Sequence, residues 1–249
     1  DSLASFRIQR QSILLDPAAE MQKFYKAFYD QNVGVDVIPE DREFSSYKVV
    51  ILPQMIITKP EMEEKVEAFV KNGGTVIVTY RHAVKDADNN VPFGETLPVH
   101  YNALAGLTVE ETESLQDYDA FPVVGSGVFE GVEGTGGIFR DMIQVQDAEV
   151  LFHYADAFYL GFAAVTRKQT GRGTLYYVGC GLEEKITKLL MEQVMRDCHF
   201  QMVPSEEGLE IVTRGNEKQK VTMYINHNAK EVTYGDMTLA PFACKILEA

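Results

Sequence analysis

The sequence predicts an α/β protein: a mostly parallel sheet with flanking helices, followed by a small all-β unit. Three observations carry this expectation. Amphipathic segments alternate with β-branched runs through the first part of the chain. Two of those runs, 47–52 (YKVVIL) and 75–80 (TVIVTY), are apolar almost throughout, as befits strands covered on both faces. After Pro204 the pattern changes to short β-like segments separated by turn residues.

The elements follow in order. Asp16-Pro17 supplies an N-cap and a proline at the first helical position. Met21, Phe24, Tyr25 and Phe28 recur at helical spacing and Gly34 is a stop, so a helix is predicted over 16–33. Residues 35–38 read as a short strand, and 47–52 as a buried one. A second helix is predicted over 58–72, with Thr58 and Glu61 as a capping box, Val66, Phe69 and Val70 inward, and Gly73-Gly74 at its end. Strand 75–80 follows. Residues 83–145 are rich in Gly, Asp and Glu and read as a long irregular excursion, a pattern that suits a lid, a subunit contact or a docking surface. Strands return at 149–154 (EVLFHY), 163–168 and 174–178, the last two flanking the hairpin signal Gly171-Arg172-Gly173. A helix over 182–198 turns Ile186, Leu189, Leu190 and Val194 inward, with Met195 a further candidate. Segments 208–213, 220–226, 230–234 and 243–247 then form the β-unit. The expected domains are 1–203 and 204–249; the second is small for a unit without a staple and should lean on the first.

Composition excludes several classes. Hydrophobic residues make up 45% of the 249, enough for a packed core rather than a disordered chain. The formal charge of −14 repels phosphate backbones and anionic lipid, so neither nucleic acid nor a membrane is an expected partner. No apolar run approaches the ~18 residues of a membrane helix. The start, DSLASFR, lacks the apolar stretch of a signal peptide and reads as though it begins inside a longer protein. Cys180, Cys198 and Cys244 are odd in number and fit no zinc spacing, which suits a reducing, cytoplasmic setting. His82, His100, His153, His199 and His227 do not cluster, so no metal and no cofactor is expected.

Candidate chemistry is sparse. A retaining glycosidase needs two carboxyl groups facing one another across a sugar. The adjacent pairs Glu110-Glu111, Glu183-Glu184 and Glu206-Glu207 point to different sides of their elements and read as solvated. The turn after 75–80, where a sheet of this kind could carry a nucleophile, holds Tyr80-Arg81-His82, with neither Ser nor Cys. Cys180, in Gly179-Cys180-Gly181, is the best remaining nucleophile candidate, and a small residue in a tight turn explains it equally well. Asp156 stands among Tyr154, Phe158 and Tyr159, where it could meet a sugar hydroxyl or hold a backbone turn.

Several strings together resemble one family. These are 69–81 (FVKNGGTVIVTYR), 154–161 (YADAFYLG) leading to 164–167 (AVTR), and Gly171-Arg172-Gly173 followed by 176–179 (YYVG). Asn226-His227 and the ending 241–247 add to the set. The set resembles glycoside hydrolase family 42, the microbial β-galactosidases, over nearly the whole chain. The resemblance implies a three-part subunit: a catalytic (β/α)₈ barrel, a trimerisation domain with a class I glutamine amidotransferase-like (flavodoxin-like) fold, and a small C-terminal β-domain. Both catalytic Glu residues belong to the barrel, so none is carried over to this chain. The amidotransferase-like domain is expected without its Cys nucleophile, in keeping with the turn after Tyr80. Two departures from the family stand out. Against the family pattern the chain is expected to start just past the domain's first strand, and Ala157 replaces the usual glycine of the YADGFY string.

The resemblance thus implies the non-catalytic trimerisation and C-terminal region of a β-galactosidase, with a homotrimer as partner and a galactoside bound through the barrel. Candidate interface aromatics are Phe93, Tyr101, Tyr118, Phe121, Phe129, Phe139, Phe158 and Tyr159, with Phe121, Phe129, Phe158 and Tyr159 foremost. The alternative is that they pack beneath their own loops. Two rival functions remain: a carbohydrate-binding module with Tyr154, Phe158 and Tyr159 as its platform, or a stand-alone amidotransferase-like hydrolase using Cys180.

Overall fold

The computed structural model describes residues 4–5, 11–116, 119–216 and 219–248. Tyr118 and the first three residues lie outside them, and so does the expectation about the missing first strand. The chain divides into two compact units. One comprises Asp1–Met21 and Pro39–Thr187, the other Gln22–Ile38 and Lys188–Ala249. Residues on both sides of position 203 therefore fall in the same unit.

The first unit is built on a nine-stranded sheet. Helix α1 (Pro17–Tyr29) begins where the sequence places it, with Asp16 Oδ1 accepting from the backbone N–H groups of Ala18 and Ala19 at 2.9 and 3.2 Å. Strand β1 (Val49–Leu52) pairs in parallel with β2 (Thr75–Thr79). Between them runs α2 (Pro60–Lys71), which packs Val66, Phe69 and Val70 inward. Its N-cap is Lys59 rather than Thr58. Pro60 fixes the first turn, and Thr58 instead donates its hydroxyl to the Glu63 carboxylate at 2.6 Å. Gly73, at φ +108°, turns the chain out of the helix as a residue with a side chain would not. All five residues of β2 are buried, as its β-branched run requires.

Residues 83–145 are not the irregular excursion expected. They form the short helix α3 (Asn102–Ala105) and strands β3 (Leu107–Ser114), β4 (Phe121–Gly125) and β5 (Glu133–Val145). The glycines that give this stretch its loop-like composition answer to packing. A Cβ on Gly134 would run into Ile186, and one on Gly136 into the Phe121 ring. Strands β6 (Glu149–Tyr154), β7 (Ala163–Thr170), β8 (Gly173–Val178) and β9 (Cys180–Leu182) complete the sheet. Its order is β1-β2-β8-β7-β6-β4-β5-β3, with β9 on β5. Only the β1–β2 and β2–β8 ladders are parallel; the other described ladders of this sheet are antiparallel. The expected mostly parallel sheet is thus corrected to a mixed one with a parallel portion. Parallel neighbours need long crossovers. Here β7 and β8 join through a two-residue loop that starts at Gly171, φ +63°. Residues 35–38 form no strand, and Val37 is exposed.

The second unit contains the short sheet of β10 (Leu209–Gly215), β11 (Lys220–Asn226) and β14 (Cys244–Glu248), all antiparallel, and the hairpin of β12 (Val232–Tyr234) and β13 (Met237–Leu239). Leu209, Ile211, Val232 and Leu239 are its core, flanked by Val203 and Tyr224. Asn32 ties the region after α1 to these strands. Its amide donates to the Val203 carbonyl at 2.7 Å and its oxygen accepts from the Ile211 N–H at 2.6 Å. Helix α4 (Glu184–Asp197) leads into this unit. Among the described residues no helix is long and apolar enough to cross a membrane.

Candidate subunit-contact site

The YADAFYLG string begins on the last residue of β6, Tyr154, and turns back into β7. The turn is closed by backbone bonds from Tyr159 N–H to Asp156 C=O and from Phe162 N–H to Tyr159 C=O, each 3.0 Å, and Gly161 sits at φ +91°. A buried guanidinium holds it from inside. Arg140, on β5, has a side chain 6% exposed. Its Nε and Nη2 donate to Glu113 Oε2 at 3.0 and 2.6 Å, and its Nη1 donates to Asp156 Oδ2 at 3.1 Å. The guanidinium carbon lies 3.4 Å from the Tyr159 ring centroid and 4.6 Å from that of Phe121. A planar cation stacked on aromatic faces and forked between two carboxylates makes full use of arginine's shape. Burial opposes the Arg140 charge, but the hydrogen bonds to Glu113 and Asp156 outweigh it and its pKa is raised. The Tyr159 phenol is likewise pushed up, first by burial and then by its hydrogen bond to Glu113.

Deeper in, Asp141 accepts from Thr112 Oγ1 and from the Tyr177 hydroxyl, both at 2.7 Å. Its complete burial raises its pKa despite these donors and the nearby Arg81 charge. The Tyr154 hydroxyl faces the Asp141 and Gly179 carbonyls at 3.1 Å each.

The candidate aromatics separate by burial. Phe121, Phe129 and Tyr159 are buried within their own chain, as are Tyr101 and Phe139. For these the packing alternative holds, because a ring enclosed by its own strands presents no surface to a partner. Phe158 is 80% exposed, and Leu160, two residues on, 72%. Phe93 is also fully exposed. The sugar-platform alternative loses its geometry: Tyr154 is wholly buried and Tyr159 nearly so, leaving Phe158 as the one ring of the three that faces outward. Asp156 is bound to Arg140. Cys180 is 1% exposed within β9, where no substrate reaches it. None of the three cysteines forms a disulfide, and no metal-binding cluster occurs among the described residues. Arg140 was missed at the sequence level. The signal was there: a consecutive Arg140-Asp141 pair between the apolar Ile138-Phe139 and Met142-Ile143 is a charge that must find a partner.

The turn after β2 holds no nucleophile but is strained. Arg81 and Ala83 take φ of +61° and +51°. His82 between them is buried, its two ring nitrogens have no hydrogen-bond partner, and desolvation lowers its pKa to about 3.

Comparison with known proteins places this arrangement. A family model described as the beta-galactosidase trimerisation domain matches residues 1–201. Beta-galactosidase Pbg of Clostridium perfringens is 32% identical over 218 residues, which cover 85% of this chain and 32% of that protein. Beta-galactosidase LacA of Lactobacillus acidophilus is 28% identical over 212 residues, covering 85% of this chain and 30% of the relative. The chain therefore spans about a third of the length of the curated relatives it matches. The crystal structure of a beta-galactosidase from Bacillus circulans sp. alkalophilus superposes with a TM-score of 0.87 at 28% identity, over 95% of this chain and 38% of that one. A beta-galactosidase from Halorubrum lacusprofundi shares the fold, with a TM-score of 0.86 at 22% identity over the whole of this chain and 38% of its own.

Proposed function

The chain belongs to the trimerisation-domain family of glycoside hydrolase family 42 beta-galactosidases, and from that premise we propose that it is the non-catalytic assembly part of an enzyme that hydrolyses terminal β-D-galactosides. Its partner is itself, in a homotrimer, and the galactoside binds to a barrel that this chain does not contain. The observation that carries this reading is the match over residues 1–201 combined with a span of about a third of the relatives' length. The carboxylates support it too. Glu113 and Asp156 meet across Arg140, which engages both of them and leaves neither free to attack or protonate a sugar.

The finer parts of the reading are proposals of the same kind. We assign residues 1–203 to a class I amidotransferase-like trimerisation domain and 204–249 to a C-terminal β-domain. The parallel β1-β2-β8 core and the left-handed Arg81 at the turn after β2 support the first assignment. The end of the family match at residue 201 and the antiparallel strands from Leu209 support the second. Cysteines outside disulfides suit a cytoplasmic enzyme. Of the four foremost interface candidates, Phe158 keeps that role through its exposure.

The test is turnover of a nitrophenyl galactoside by the purified 249-residue chain, alongside its mass in solution. The expected result is no turnover together with self-association. Turnover abolished by one Glu substitution within the chain would overturn the non-catalytic reading.

A further inference from the structure

We propose that Arg140 is a positioning residue for assembly: it fixes the turn at 155–162 as a preformed knob, so that Phe158 and Leu160 meet a second copy of the chain already ordered. This rests on the assembly reading above. Residues 155–162 carry no regular secondary structure, yet they present two large apolar side chains to solvent. A loose turn bearing such side chains loses affinity to the ordering of its rotamers on association, and a rigid one does not. Arg140 grips this turn at two points. Asp156 is its ion-pair partner at 3.1 Å and Tyr159 its stacking partner at 3.4 Å. Its opposite side is anchored to the sheet by Glu113 of β3 and the ring of Phe121 on β4. The grip passes to the exposed ring directly, because Phe158 packs edge-on against Tyr159 with centroids 4.8 Å apart. Without the guanidinium, Glu113 and Asp156 would face each other as like charges and push the turn outward.

The occupant is a second copy for reasons already in view. The chain is a member of a trimerisation-domain family, and three-fold closure brings together two different surfaces of each subunit. A projecting apolar pair suits one side of such a contact, where a central aromatic carries a large share of the binding.

The experiment takes the 249-residue chain and its Arg140→Lys, Asp156→Asn and Phe158→Ala variants. Sedimentation gives the association constant. Hydrogen exchange, recorded at a dilution where each chain is monomeric, gives the mobility of the amides at 156–162. Arg140→Lys keeps the charge and loses the fork and the stacking plane. It should weaken association at least ten-fold and speed exchange at 156–162, with the strands unchanged. Asp156→Asn should shift both in the same direction by less. Phe158→Ala should weaken association with no change in the turn's exchange except at the substituted position. Faster exchange in Arg140→Lys with undiminished association would overturn the knob as the contact. Unchanged exchange would overturn the positioning role. A wild-type chain monomeric at every concentration would remove the second copy as partner, and exchange would then decide the positioning role independently of the assembly reading.

Discussion

Replacing His82 by phenylalanine should make the fold less sensitive to acid. The imidazole is fully buried, neither ring nitrogen has a hydrogen-bond partner, and its ring meets that of Tyr101 edge-on with centroids 4.4 Å apart. Burial lowers its pKa from the ordinary 6.5 to about 3. In the unfolded chain the same group takes up a proton below its ordinary pKa, while the folded chain refuses it. Stability is therefore intact above pH 6.5 and drains away as the pH falls towards 3. Between pH 7 and pH 4.5 the loss from this one group is about 2.5 kcal/mol, since each unit of pKa difference is worth about 1.4 kcal/mol. Phenylalanine keeps the aromatic contact, removes two unpaired polar atoms and cannot titrate. Urea unfolding of both proteins at the two pH values gives the answer as a difference of differences, in which the carboxylates common to both cancel. The wild type should lose about 2.5 kcal/mol more than the variant over that interval. An equal loss in both would refute the argument, because it would mean that His82 finds a proton in the folded state.

Three further outcomes follow from burial and packing. At a dilution where the chains are monomeric, Phe121→Ala should destabilise the chain by about 3–5 kcal/mol, whereas Phe158→Ala should stay within about 0.5 kcal/mol, as read from urea midpoints, since the first ring is enclosed and the second faces solvent. Gly173→Ala should lower the melting temperature markedly. Its Cβ would run into the backbone carbonyls of Gly74 and Val70, a kind of overpacking that costs about 1–3 kcal/mol, while Gly137→Ala, with open space around it, serves as the neutral control. In a native thiol-labelling time course, exposed Cys244 should react at once and buried Cys180 only on unfolding. Prompt labelling of Cys180 would reopen the hydrolase alternative.

Much of the parallel part of the fold was legible because it depends on local signals. Asp16 caps α1 through its own side chain, and the run at 75–79 is buried along its length. The antiparallel part was not legible, and the reason is physical. In β5 the glycines at 134 and 136 make room for Ile186 and Phe121, contacts set by residues far along the chain, so composition alone reads as loop. The same distance hid the site. Arg140 looks like a surface charge until Glu113, 27 positions earlier, and Asp156, 16 later, come together around it. The aromatic string YADAFYLG was recognisable, but its residues point in opposite directions. Tyr154 is fixed inward by two carbonyls and Tyr159 by Arg140, and the turn between them leaves Phe158 outside.

The division of the sheet explains why the candidate contact lies where it does. Strands β1, β2 and β8 make up a parallel core, and β2 is buried throughout, so it has no side chain left to offer a partner. Antiparallel neighbours can be joined by short turns, and such turns can project without opening the core. The turn between β6 and β7 is of this kind. It stands clear of the ladder, yet Arg140 roots it in β5, the strand that also pairs with β3, β4 and β9. Self-association of chains carrying −14 each works against electrostatic repulsion. The contact therefore needs apolar surface whose own charges are already neutralised. Around Phe158 that condition is met locally, because Asp156 and Glu113, the carboxylates that hold the turn, are each paired with the buried guanidinium.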